Sequence, residues 1–376
     1  MLERFHTDLC IRARTGALIA AAWPAPWRPR FVRDLLSRTL PAGLPRGRVR
    51  TLPVGALRPR GGKRTRNLNN LLRAQVARDG FRGASAAYSI INQDLELLQE
   101  AKAAGLKIVH DHILSPDVGL ILREERARFP GIERQDSEEW VWRGIERDRA
   151  QWALADLVLA PAEHSQQAIR ELGGDAARIE RVPYGVSDRW LETQPRPEPG
   201  RVLFVGSVGL RKGTHYLAAA ARRLEARGVS CEVVVAGPFD PQAIERPEFH
   251  GPTYLGSIPR SEVQKAFLRA DLFVHPSLAE GCPIASLEAL ACGLPVIATP
   301  NAGTVINDGE AGFLVPIRDA EALADRIERL VTDRALRQQM SNAAREQART
   351  VTWSAYRERL IQAIESHLGE IDDDVL

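Results

Sequence analysis

Two carboxylates and a lysine stand where a phosphorylated sugar can be held. Glu280 and Glu288 are separated by seven residues in "EGCPIASLE". Glu280 falls in a loop after an apolar run that ends at His275, and Glu288 lies about one turn into a helix starting near Pro283, a favourable first-turn residue. Both carboxylates can face one cleft, with the amides of the helix start between them. Carboxylates accept from sugar hydroxyls, and helix-N-terminal amides hold phosphate. On spacing alone, a helix-capping Glu280 and a surface Glu288 fit equally well.

Upstream, "VLFVGSVGLRKGT" reads as a strand, a loop with Gly206, Gly209 and Gly213, and a helix start. A doubly wound fold binds phosphate at such a turn, because glycines let the backbone approach and the helix N-terminus attracts anions. Lys212 there opposes the helix dipole unless an anion offsets it. The order Lys212-Gly213-Thr214 is not that of a P-loop, and no GxGxxG is present. His110-Asp111-His112 is a third candidate. Strand alternation is read here as pointing the two histidines apart, so no metal is expected. Asp372-Asp373-Asp374 contains an Asp-x-Asp triplet, read as a solvated acidic end.

These groups need rigid elements to carry them. Short apolar runs at 202–205, 232–236, 253–255, 272–275, 296–299 and 313–315 alternate with helical patterns at 214–227, 261–269, 284–291 and 321–331. Such alternation predicts a parallel sheet with helices on both faces. The first half gives strands at 87–91, 107–110, 157–160 and 179–182, with weaker signals over 1–80. Residues 191–200, with three prolines, read as a linker between domains at 1–190 and 201–352. An amphipathic helix at 353–368 follows.

The 376 residues suit two domains, and 44% apolar and 26% charged composition excludes disorder. No apolar run approaches the roughly 20 residues of a membrane span. The four cysteines are scattered without a CxxC pair, which argues against zinc or a disulfide framework and fits a reducing cytoplasm. Residues 1–66 hold fifteen Lys/Arg against three acids. That excess suits an anionic membrane surface; with few aromatics for base stacking, nucleic acid is not expected.

The stretch "EGCPIASLEALACGLPVIAT" with "NAGTVINDGEAGFLVP", "FVGSVGLRKGT" and "ADLVLAPAEHSQQAIRELGGDAARIERVPYGVSD" resembles glycosyltransferase family four over roughly residues 84–360. The resemblance implies an α/β GT-B fold, with two Rossmann-like doubly wound domains facing each other across a cleft and the 353–376 helix crossing back to the first domain. It implies a retaining, metal-free hexosyltransferase that takes sugar from a nucleotide-diphosphate sugar and needs no cofactor. By motif position, Lys212 would bind the donor diphosphate, Glu280 the transferred sugar and Glu288 the ribose. Gly206, Ser207, Gly209 and Arg211 would line the first turn. Gly281 and the backbone of Cys282 and Ile284 would lie near the phosphate, with Asn301, Gly303 and Thr304 in a neighbouring loop. His110 would stand beside the donor sugar. The family usually carries arginine at the position of Ser207, which leaves Arg211 as the nearest substitute.

The acceptor, whether glycan, lipid-linked or small molecule, is unspecified. A nucleotide-sugar binder without turnover is the main alternative, and a GT-B-type epimerase or phosphorylase another; turnover and product identity separate them. The resemblance also implies an opening strand, glycine loop and helix upstream of "MLERFHTDL". On that basis residues 2–5 end a helix, 6–9 form the next strand, and the first-domain sheet is expected to be gapped or rearranged unless another segment, such as 49–54, fills the slot.

Overall fold

The structure, a computed structural model, describes residues 5–7, 49–51, most of 73–90, and 95–369. By compactness it divides into residues 1–87, 93–108 and 370–376, and residues 88–92 and 109–369. The Gly-rich turn and both candidate carboxylates lie in the second unit. In the first, β1 (Phe5–Thr7) pairs in parallel with β2 (Val49–Thr51) as a separate two-stranded sheet. The remainder of 1–66, residues 52–54 of the slot-filling segment and the acidic triplet at 372–374 lie outside the described residues.

A four-stranded sheet has the order β3 (Ala86–Ile90), β4 (Lys107–Asp111), β5 (Leu157–Ala160) and β6 (Ile179–Arg181), with β4–β5 and β5–β6 parallel. The expected first-half strands coincide with these within a residue or so. Its helices are α1 (Leu95–Ala103), α2 (Val118–Arg128), α3 (Glu138–Leu154) and α4 (Glu163–Glu171). α3 starts where Ser137 accepts from the Trp140 N–H, an N-cap that satisfies one orphan donor.

The second sheet is wholly parallel, ordered β12 (Gly312–Leu314), β11 (Val296–Ala298), β10 (Leu272–His275), β7 (Arg201–Val205), β8 (Glu232–Ala236), β9 (Thr253–Gly256). Read from the other edge this is the 3-2-1-4-5-6 order of a doubly wound sheet. Its direction of winding reverses between β7 and β10, and ligands bind at the carboxyl ends of the strands beside that point. The helices are α5 (Thr214–Ala226), α6 (Arg260–Arg269), α7 (Ile284–Ala291), α8 (Ala320–Thr332), α9 (Arg334–Thr350) and α10 (Trp353–Leu368).

Strand side chains alternate between faces, so a sheet buried on both sides reads as a continuous apolar run. On β7, Val202 and Phe204 join Leu217, Leu224, Ile327 and Leu330 on one face. Leu203 joins Phe267, Leu287, Leu290 and Ala344 on the other. Each fully buried Leu or Phe contributes about 1.5–3 kcal/mol. The proline-rich residues 191–200 carry neither strand nor helix. α10, capped by Thr352, packs Tyr356, Leu360, Ala363 and Ile364 on Val109, Leu157 and Leu159 of the first sheet. Among the described residues no helix is long and apolar enough to cross a membrane.

Candidate donor site

The Gly-rich turn leaves β7 and the Glu280 loop leaves β10, so the two lie side by side at the winding reversal. Their packing explains the glycines. Gly213 has φ 65°, and a methyl group there would overlap the Pro276 carbonyl oxygen. Gly303, φ 67°, sits against the Gly281 carbonyl, and Gly281 against that of Ile113. The turn is closed by Thr214, whose hydroxyl accepts from the Gly209 N–H at 3.0 Å.

Lys212 and Arg211 both reach one oxygen of Glu280. Arg211 also donates to the Ala279 carbonyl at 3.2 Å, and its own carbonyl accepts from the Leu278 N–H. It therefore points into the site, two cations on one nearly buried carboxylate. Burial pulls the Lys212 ammonium below its ordinary pKa, and Glu280 opposes that shift. Asn301 braces the loop: its carbonyl accepts from the Glu280 N–H at 2.9 Å, and its side-chain amide donates to the Leu278 carbonyl at 3.0 Å. From the first-sheet half, Ser165 donates to the Glu280 carbonyl at 3.4 Å.

α7 begins after Pro283, whose side chain provides no cap. Its first N–H groups, that of Ile284 among them, lack intrahelical partners and suit an anion. Glu288 lies within this helix, 2% exposed and ion-paired to Arg260, which in turn stacks 5.2 Å from the Trp190 ring. Burial raises the Glu288 pKa and Arg260 opposes it. Glu288 is therefore not a surface residue. Beside it, Arg189, Trp190, Arg260, Ser261 and Gln264 line a cavity of about 240 Å³. Cys282 is buried, and burial pushes its thiol up to about 11. Ser207 is exposed, Gly206 and Gly209 are half-buried in the turn, and Thr304 accepts from the Ile306 N–H.

His110, near the end of β4, is 1% exposed and its Nδ1 has no partner. Burial pushes its pKa down to about 4. The expectation that His110 and His112 point apart is corrected: residues two apart share a strand face, and the rings meet edge-on at 5.9 Å. His112 also lies 3.5 Å from Asp148. Among the described residues, no group of three or more His, Cys, Asp or Glu could hold a metal.

Several residues at the site carried no sequence signal. His275 ends β10 fully buried, stacked on Phe204 at 5.7 Å, with neither ring nitrogen partnered and a pKa pushed well down by burial and by Lys212 and Arg211. Arg260 and Ser165 find their carboxylate and carbonyl only through the fold.

Of the comparisons with known proteins, the family match falls on this half. Residues 188–347 match the family Glycosyl transferases group 1. The match takes in the Gly-rich turn and both candidate carboxylates. The D-inositol 3-phosphate glycosyltransferase of Nocardia farcinica is 27% identical over 307 residues, 70% of this chain and 67% of that protein. The alpha-D-kanosaminyltransferase of Streptomyces kanamyceticus is 30% identical over 213 residues, 52% of this chain and 53% of its own. The chain thus spans about half the length of relatives it matches at 30% identity. Among solved structures, sucrose-phosphate synthase from Thermosynechococcus elongatus superposes with a TM-score of 0.66 at 20% identity, covering 86% of this chain and 84% of that one. Anabaena HepE in complex with UDP-glucose gives 0.63 at 17%, covering 96% and 98%. The two parallel-sheet α/β domains are those of the GT-B fold.

Proposed function

We propose that this protein transfers a hexosyl unit from a nucleotide-diphosphate sugar to a hydroxyl acceptor, with retention of configuration and without a metal. The observation that carries the proposal is the meeting of Lys212 and Arg211 on Glu280 beside the uncapped start of α7. Two cations and free helix amides suit a leaving diphosphate, and preorganised donors at developing charge are commonly the largest catalytic contribution. In the bound state Lys212 and Arg211 exchange Glu280 for diphosphate oxygens. Glu280 is then released to accept from sugar hydroxyls. Glu288 accepts from the ribose once Arg260 turns aside, with Asn301, Gly303 and Thr304 bracing the loop and His110 beside the sugar. The bond from the anomeric carbon to the phosphate oxygen breaks as the acceptor oxygen bonds on the same face. The acceptor proton passes to the departing phosphate oxygen.

The basic residues 1–66 are proposed to hold the protein peripherally on the cytoplasmic face of an anionic membrane. The functional reading is tested by incubating purified protein with a panel of nucleotide sugars, with and without EDTA. Sugar transfer or donor hydrolysis that chelator leaves unchanged is expected. Donor binding without turnover would reduce the protein to a binder. Loss of turnover with EDTA, restored by magnesium or manganese, would defeat the metal-free reading.

A further inference from the structure

Glu125 lies in the last turn of α2 with no solvent exposure. A buried carboxylate needs compensation, and three side chains provide it. His215 Nε2 is 2.9 Å from Oε1, the Tyr216 hydroxyl donates to the same oxygen at 2.7 Å, and Arg318 Nε donates to Oε2 at 2.6 Å. Burial pushes the carboxyl up in pKa, and these donors more than reverse it. Arg318 is the sole non-glycine at positive φ (65°) among the described residues. L side chains adopt that region at a cost, so the backbone is held there against its preference while the guanidinium reaches Glu125.

Replacing a buried ion pair by well-packed apolar groups is often neutral or stabilising, so the pair is weak evidence for a purely stabilising role. Its position is informative. His215 and Tyr216 lie in the first turn of α5, directly after Lys212-Gly213-Thr214. On the other side of Lys212, Glu133 Oε1 accepts from the Leu210 N–H at 2.8 Å, and Arg126 of α2 holds Glu133 at 3.2 Å. The same first-half segment thus grips the phosphate turn at both ends, at Leu210 and at His215–Tyr216, with Arg211 and Lys212 between. The Phe129 ring, between the two carboxylates in sequence, packs edge-on against His215 at 4.6 Å.

We propose that Glu125 and Glu133 are positioning residues for Lys212: they fix the turn that presents its ammonium to the donor diphosphate. Through them the segment following β4, whose Ile113 carbonyl abuts Gly281, sets the geometry of the donor site. The inference rests on the donor reading above.

The test is a double-mutant cycle read by calorimetric binding of UDP, GDP and ADP as probes. Glu125→Gln and Glu133→Gln, each isosteric, should weaken diphosphate binding about tenfold, within the usual range of coupling between sites. In a Lys212→Ala background the same changes should shift affinity by less than about twofold, because the group they position is gone. Arg318→Gly provides a variant whose backbone is at ease at this φ, and it should show the same dependence on Lys212. Equal losses with and without Lys212 would overturn the inference, as would unaltered binding in all three variants. Failure of the wild type to bind any of the three diphosphates would instead remove the donor reading, and the inference with it.

Discussion

Glu280→Gln should separate nucleotide binding from turnover, with opposite signs. In the free protein Glu280 is 8% exposed and accepts both Lys212 and Arg211. Two unit charges 4 Å apart at an effective dielectric of 20 attract by about 4 kcal/mol, and a phosphate charge about 8 Å from the carboxylate is repelled by about 2 kcal/mol. An incoming diphosphate must therefore compete with Glu280 for Lys212 and withstand its repulsion. Arg211 is partly exposed, and water screens part of both effects. A net gain of about 1.4 kcal/mol, tenfold tighter binding of UDP, is expected when the charge is removed. Turnover should move the other way. A neutral amide accepts less strongly from sugar hydroxyls, and a bond to a charged group contributes about 1.5–3 kcal/mol, so kcat should fall roughly ten- to a hundredfold. Calorimetry with UDP and initial rates with the donor sugar, at low and high salt, provide both readings. The binding gain should shrink in salt. A misfolded variant would lose both properties. UDP binding that is unchanged or weaker in Glu280→Gln would show that this carboxylate does not restrain the two cations.

Gly213→Ala should destabilise the protein by about 2–4 kcal/mol in urea unfolding, since a methyl group meets a backbone carbonyl at a left-handed position; a neutral effect would refute the packing of the turn. His110 titrates at about 4 in the folded protein and near 6.5 unfolded, so the unfolded chain gains a proton first as pH falls. Stability due to neutral His110 is present above pH 6.5 and lost by pH 4, about 3 kcal/mol over the window; His110→Gln should flatten the pH dependence there, and an identical slope would contradict it. Anionic vesicles should sediment the protein at low salt and release it at high salt; equal recovery on neutral vesicles would remove the membrane proposal.

The strands were legible because a parallel sheet buries both faces, so "VLFV", "VVVA" and "LFVH" stand out as apolar runs. The switch-point turn was legible from its glycines, of which Gly213 holds a left-handed φ of 65°. α9 was missed because the helix is polar overall and its buried face, Met340, Ala344 and Ala348, has only one large apolar residue. Glu125 is one charge among several in "REERAR"; its partners lie 90, 91 and 193 residues away and only the fold brings them together. The spacing of Glu280 and Glu288 pointed to a shared role. It did not reveal that each is matched to its own arginine, Arg211 and Arg260. His110 and His112 were misread through the strand period itself, where two steps return to the same face.

Lys212 is the centre of the proposed donor site. Turnover of a nucleotide sugar by the wild type and by Lys212→Ala, at matched folding by circular dichroism, measures what its ammonium does for the leaving diphosphate. A loss of about 100-fold or more is predicted, the scale of removing one preorganised donor. Turnover within about twofold of wild type, a difference of less than about half a kcal/mol, would contradict a donor site built on this turn.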